Sequence, residues 1–557
     1  MSRDGTSYVV PTTACFGDCA VLVDARLVDA RSGDARSGDT QTGDDRSGDT
    51  RQLLADLGHL EHVEEVLPGA VICVRVTPGR AREVAEAVDA LVAGAAAPGD
   101  RTALPAPRRV ELSICFDGPD LEEVASRAGM SAAQVADAIA GATLRVAYLG
   151  FSPGFAYVTG LPGRLSEIGR RRTPRTSVPA GSVGIAGGYL GIYPQASPGG
   201  WNLVGRTDAV LFDPDTPPYS TLRPGDVLKL SPATGIGPAP AAAYPSARPR
   251  CDPPRRIVVE DPGILTMLQD RGRIGVAHLG VPRAGPADPD SMRLANLMVG
   301  NPGHYGVLET TVRGPALRFC ERAYAAVVGA GVDLDGRDVE PGAVIEVPAG
   351  GRVRIGESRE LRAYVAVSGG IRGPEHFASC SSDLLSGLGP GRLSEGDELG
   401  FGETGRPRGY CAPLSRGPQV RVLAGPERVD PDRLAEWLSR PFEVGTDSNR
   451  IGVRLAGSRP LPLVGPPIGS YGMVPGAVQL PPSAEPIVLL CDHATMGGYP
   501  VVATVISADI GIVAQRRPGD SIQFELVDLE TAAEARSSLD RRIAHAPTGI
   551  YPSGPVA

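Results

Sequence analysis

VPAGSVGI (178–185), SPGGWNLVGRT (197–207) and RPGDVLKL (223–230) occur in that order in the first half of the chain. VPGAVQL (474–480), TMGGYPVVATV (495–505) and RPGDSIQF (517–524) occur in the same order in the second. Matched order at near-matched spacing is harder to obtain by chance than any single motif, so the two halves carry copies of one structural unit. Each RPGD reads as a turn feeding a half-buried alternating strand. Short strands between Gly- and Pro-rich turns make the unit an antiparallel, barrel-like β domain.

The rest of the chain fits that frame. At 557 residues it is too long for one core, and its 72 glycines, 53 prolines and 5% aromatics suit turns and short strands better than a helical bundle. A net charge of -9 argues against a nucleic-acid binder, which needs a basic face to displace counterions. No stretch approaches the roughly 20 apolar residues of a membrane span. The start, MSRDGTSYVV, shows no secretory pattern. Nine scattered cysteines without a zinc spacing read as reduced thiols in a cytoplasm. The one lysine is Lys229, so a Walker A loop is impossible and a covalent biotin on this chain is not expected. Any nucleotide here must be held by arginine, backbone N–H groups and a metal of unknown identity.

Residues 8–28 and 70–77 read as strands and 79–96 as a helix. Between them ARSGD-like repeats at 30–50 have no apolar position and read as a disordered insertion. Residues 120–141 read as two short helices, with capping boxes at Asp120/Glu123 and Ser131/Gln134. They superficially resemble a DNA-binding helix pair, but the second carries Asp137 and no basic residue. Further helices are expected at 289–300 and 430–439, and the last 20 residues as a loose tail. The expected domains are an N-terminal α+β unit (1–105), a barrel (106–231), a Pro/Ala linker (232–255), a β-rich domain (256–410), a second barrel (411–530) and a tail (531–557).

Single motifs are weak. GFSPG (150–154) satisfies GxSxG, but Pro153 offers no N–H to an oxyanion and FAYVTG continues as strand, so it reads as a tight turn. The seven histidines are dispersed; His493 beside Asp492 would face the opposite side of a strand. The arginines of GRRRTPRTSVPAGS (169–182) read as a solvated loop or an anion grip. TMLQDRGRIG (266–275) groups Gln269, Asp270 and Arg273 on a loop, and GLGPGR (387–392) lies near Ser381, Ser382 and Asp383.

Together, GFSPGFAYVTGLP (150–162), the 173–207 stretch and RPGD resemble the B subunit of prokaryotic 5-oxoprolinase, the KipI type. ILTMLQDRGRIG (264–275), LGVPRAGPADPDSMRLANLMVGN (279–301), LETTVRGP, YVAVSGG, TDSNRIGVRL, PGAVQLPP and DHATMGGYP resemble its C subunit, the KipA type. Relatives also form the carboxyltransferase part of biotin-dependent urea carboxylase. The resemblance implies a mainly β fold of two cyclophilin-like barrels plus the N-terminal α+β domain. It implies a cytoplasmic fused B/C component of an ATP-dependent 5-oxoprolinase, which activates the lactam, by phosphorylation, for ring opening with a separate A-type subunit. ATP and Mg²⁺ are the implied cofactors, and homo-oligomers are allowed. A carboxyltransferase acting with a separate biotin carrier, or a non-catalytic inhibitor of a histidine kinase, are the alternatives. Carried over by matching positions, the substrate or phosphate binders are Arg175, Ser182, Ser197, Trp201, Gln269, Asn296, Asn449, Arg450 and Tyr499. Asp270, Asp288 and Arg273 are the catalytic candidates. Two positions depart from the family pattern: Ile139 stands where a histidine is common, and Cys380 replaces the arginine of a GSRST-like stretch.

Overall fold

A computed structural model describes residues 13–24, 53–69, 71–94, 107–171, 173–237, 255–403, 405–409, 414, 416–465, 468 and 470–546. The 30–50 insertion and most of the 232–255 linker lie outside the described residues.

The repeat is a repeat of topology. The first unit orders its strands 109–114, 227–232, 144–149, 156–159, 189–192, 182–186 and 202–206, and the Cys115–Arg206 bridge joins its two edges. The second is a closed barrel ordered 419–424, 521–526, 442–444, 452–456, 487–489, 477–479 and 501–505. The two orders correspond strand for strand. In both, the first and last strands of the unit pair in parallel and the remaining strand pairs are antiparallel. The RPGD turns explain how the last strand is launched identically. Asp226 Oδ2 accepts from Arg223 N at 2.8 Å, and Asp520 Oδ2 accepts from Arg517 N at 2.7 Å, so each carboxylate closes its own turn.

VICVRV (71–76) is apolar on both faces because both are covered. Ile72, Val74 and Val76 join Val21 and Val23 against the Ala81, Val84, Val88 and Val92 stripe of helix Ala81–Gly94. Cys73, Ala20 and Leu22 face Tyr471, Met473 and Ala477 of the second barrel. Between the barrels, strands from Arg256–Asp261 to Glu398–Phe401 form an 11-stranded sheet system around the 16-residue strand Arg352–Val367.

Several expectations need correction. Asp120 precedes helix Leu121–Ala128 but makes no side-chain cap; its carboxylate takes Arg171, Arg175 and Leu203 N instead. The Ser131/Gln134 box is present. Of the expected tail, 531–545 is helical, part of helix Leu529–His545, which is pinned by Arg536 to Asp290 at 2.8 Å and by Asp540 to Arg293, and 547–557 lie outside the described residues. The helices expected at 289–300 and 430–439 run Pro289–Met298 and Pro431–Leu438. Gln269 ends strand Leu265–Gln269 rather than lying in a loop, and Asp492 and His493 follow a strand instead of occupying one. Ile139 sits in the apolar core of the first barrel.

The halves dock through close approach and buried charge. A Cβ on Gly150 would stand 2.4 Å from Met496 Cγ, and one on Gly280 2.2 Å from Ser152 O. Glu65 and Arg75, both almost fully buried, pair at 2.7 Å. Arg75 also donates to Met473 O (2.7 Å), and Glu65 accepts from Ala277 N (2.7 Å) and Gly275 N (3.1 Å). Glu65→Ala strands a buried guanidinium and two amides, so the unfolding free energy should fall by about 3–5 kcal/mol in urea denaturation; a loss near zero would show that these bonds do not hold the seam together.

Candidate functional site

A cavity of about 590 Å³ opens where the N-terminal domain, the sheet domain and the second barrel meet. Its walls carry Arg75 and Glu64 from the N-terminal domain. Arg271, Arg283, Asp290 and Arg293 come from the 271–304 segment, and His493 and Ile510 from the second barrel. Most of these charges are mutually held: Arg283 binds Glu64 at 2.7 Å, Arg536 binds Asp290 at 2.8 Å, and Arg75 binds Glu65. Arg271 is exposed and makes no ion pair among the described residues. The site therefore offers one uncommitted guanidinium, that of Arg271, among charges already neutralised in pairs, a place for a single anionic group.

His493 is 4% exposed. Its Nδ1 lies 2.7 Å from Ala494 O, a pure acceptor, so Nδ1 carries the proton and Nε2 presents a lone pair. Burial first, and Arg75 second, push the ring down to about 3. It is a neutral hydrogen-bond acceptor across the physiological range.

The loop after strand Leu265–Gln269 serves two environments. Arg271 lines the cavity, while Arg273 turns inward and is completely buried. Gln269 Nε2 donates to Ser382 O (2.9 Å), and Arg273 Nη2 donates to Ser381 O (2.5 Å). Asp270 holds this arrangement by accepting from Ser379 Oγ (2.6 Å), Ser381 Oγ (2.6 Å), Cys380 N (2.9 Å) and Gly272 N (2.8 Å). Burial pushes its carboxyl up, but these hydrogen bonds outweigh that and hold it below the ordinary range. Cys380 Sγ sits 3.3 Å from the same carboxylate.

The structure thus brings Gln269, Asp270 and Arg273 together and scatters the other candidates. Asp288, wholly buried, caps helix Pro289–Met298 and accepts from Arg416 (2.6 Å), Ser291 Oγ (2.6 Å) and Gln515 (3.0 Å). Arg450 is buried between Asp492 (2.9 Å), Gly285 O (2.6 Å) and Glu309. Asn296 bonds Tyr305 O and Asn301, and Asn449 caps its own turn at Ile451 N. Arg175 pairs with Asp120. Trp201 packs edge-on to Phe155 at 5.4 Å, near the buried Ser197 hydroxyl's strand. Ser182 opens strand Ser182–Ala186, and Tyr499 is half-buried on the turn equivalent to that of Trp201. Sequence reasoning missed the contribution of the N-terminal domain, Glu64 and Arg75, to the cavity. The available signal was Arg75 itself, a charge within a strand that is apolar on both faces. Among the described residues no group of three or more His, Cys, Asp or Glu side chains could cage a metal, and no helix is long and apolar enough to cross a membrane.

Known proteins place these features in context. Residues 35–222 match the family model for carboxyltransferase domain, subdomain C and D, and 279–526 that for subdomain A and B. The chain is 36% identical to the C subunit of 5-oxoprolinase from Escherichia coli K12 over 291 residues, half of this chain and 94% of that protein. It is 44% identical to the B subunit of 5-oxoprolinase from Escherichia coli O157:H7 over 131 residues, 23% of this chain and 60% of that one. Urea amidolyase of Saccharomyces cerevisiae is 33% identical over 321 residues, 52% of this chain but 17% of that protein. The solved protein TTHA0988 superposes with a TM-score of 0.75 at 31% identity, over 91% of this chain and all of that one.

An unfolded histidine titrates near 6.5, whereas His493 in the fold stays neutral to about 3. Its contribution to stability is therefore complete above pH ~6.5 and is lost as pH falls below that toward 3. His493→Gln should lose less stability than the parent between pH 7.5 and pH 5, read as urea midpoints; parallel losses would contradict the assignment.

Proposed function

The chain belongs to the carboxyltransferase-domain family, as a fusion of 5-oxoprolinase B-type and C-type halves, and from that premise we propose that it is the lactam-activating component of an ATP-dependent 5-oxoprolinase. The observation that carries this reading is the guanidinium-lined cavity at the seam of the two halves, which neither half completes alone. A lactam carbonyl is resonance-stabilised and a poor electrophile. Transfer of the γ-phosphoryl of ATP to its oxygen breaks the β,γ P–O bond, releases ADP and leaves an activated C–O bond for water to attack at carbon. The partner A-type subunit then completes ring opening to glutamate, with phosphate released.

The chain's part is positioning and charge compensation. Arg271, free of ion pairs among the described residues, faces the phosphates, while Arg283 and Arg293 stay paired with Glu64 and Asp540. With no lysine near, forked guanidinium donors replace the P-loop lysine, and Mg²⁺ enters on the nucleotide rather than in a protein cage. The lone pair of His493 Nε2 is available to a substrate N–H.

A second reading is favoured by the similarity to urea amidolyase over 52% of this chain. There the same seam would hold urea against a carboxylated biotin brought by another protein. Lys229 lies within strand Val227–Pro232 beside Glu111, a poor place for the biotin itself.

Purified chain mixed with an A-type subunit, MgATP and 5-oxoproline should release glutamate and ADP in equal amounts. Arg271→Ala should raise the KM for ATP at least about tenfold, the scale of one lost charge-assisted contact. Carboxyl transfer to urea from an already carboxylated biotin carrier, with neither ADP nor glutamate from the lactam mixture, would move the assignment to the second reading, and no turnover in either mixture would remove both.

A further inference from the structure

PEHFASCSSD (374–383) makes a turn that its own sequence does not favour. His376 N donates to Ser379 O at 3.0 Å and Ser379 N to His376 O at 3.3 Å, so Phe377 and Ala378 are the central pair of a tight hairpin. Both stand at positive φ, 55° and 56°. Hairpins of that form favour Asn-Gly, because a Cβ crowds the backbone there, and a bulky aromatic residue is strained. Such strain persists only where the surroundings over-determine it.

The first barrel supplies the constraint. The Phe377 ring stands edge-on to Tyr219 with centroids 4.9 Å apart and lies 6.2 Å from Phe212, in one apolar cluster with Val281 and Leu388. Beside it, His376 Nε2 lies 3.5 Å from Asp215 Oδ1. Phe212, Asp215 and Tyr219 belong to one loop of the first barrel, closed by the Phe212–Ser220 bridge, whereas the turn belongs to the sheet domain.

On its other side the turn ends in a residue that holds Asp270. Ser379 Oγ donates to Asp270 Oδ1 at 2.6 Å, Cys380 N to Oδ2 at 2.9 Å and Ser381 Oγ to Oδ1 at 2.6 Å. Asp270 in turn fixes the backbone on both sides of Arg271. Its carboxylate accepts from Gly272 N (2.8 Å), and its own N–H donates to Ser381 Oγ (2.9 Å). Among the described residues, none that lines the cavity comes from the first barrel. We propose that Phe377 is a positioning residue through which that barrel reaches the site. Seated on the barrel, it holds the 376–379 turn in its strained form, and the turn, through Asp270, sets the place of Arg271. The nucleotide role of Arg271 rests on the lactam-activating reading; the link from turn to loop does not.

Hydrogen exchange on the full chain, without nucleotide or partner, reads the link directly, because the Gly272 N–H is bonded to Asp270 Oδ1. Phe377→Ala should speed exchange across 270–275 at least about tenfold, while strand Val501–Val505 exchanges as in the parent. Phe377→Asn combined with Ala378→Gly installs the pair the turn prefers, so the turn no longer needs the ring. Exchange should then return to within about threefold of the parent. Tyr219→Ala removes the ring's seat from the barrel side and should act as Phe377→Ala does, which keeps the test decisive should that variant misfold. In turnover with the A-type subunit and 5-oxoproline, Phe377→Ala should raise the KM for ATP about tenfold with kcat within about twofold, and the double variant should restore it. Unchanged exchange in both single variants, a double variant no better than Phe377→Ala, or faster exchange with an unmoved KM would overturn the positioning role. No turnover in the parent would remove the proposed function and leave exchange to decide the link.

Discussion

Arg450 is the interaction on which the arrangement depends. Its guanidinium, buried and almost saturated, joins the second barrel through Asp492 to the sheet domain through Glu309, and to the cavity wall through Gly285 O. Glu309 in turn accepts from Ala287 N (2.8 Å) and Tyr364 Oη (2.9 Å), and Tyr364 Oη accepts from Asp288 N (2.8 Å). One chain of bonds thus runs from the barrel loop that carries His493 to the start of helix Pro289–Met298. Removing one partner from such a buried network costs about 3–5 kcal/mol, and these bonds tie the 285–288 segment to the barrel.

The two barrels share a topology and differ at their ends. Aligning SPGG (197–200) with TMGG (495–498) makes Gln195 the counterpart of His493. Gln195 donates to Leu385 O at 2.9 Å and so closes its end of the first barrel onto the sheet domain. His493 instead lines the open cavity. Of these two equivalent loop ends, one docks on the sheet domain and the other walls the cavity.

Much of the fold was legible because its determinants are local. RPGD carries its own carboxylate cap, and the repeated order of three short motifs encodes strand order without any knowledge of contacts. Resemblance also located the Gln269–Arg273 loop, but not the roles within it. The partners of Arg450 lie 42 and 141 residues away, and those of Asp270 about 110 residues away, so no spacing rule could pair them. Asp120 looked like a cap because its helix start is local; its real partners, Arg171 and Arg175, lie 51 and 55 residues further along the chain. Helix Leu529–His545 was hidden for the same reason. Few of its residues are buried, and it is held by ion pairs to a helix some 250 residues earlier.

The central claim is that the seam between fused halves is the place of chemistry. A crystal structure of the full chain with a non-hydrolysable ATP analogue, Mg²⁺ and 5-oxoproline tests it most directly. The triphosphate should lie against Arg271 in the cavity, with the lactam ring toward His493. Both ligands bound elsewhere, for instance in the groove between Arg421 and Leu539, would contradict it.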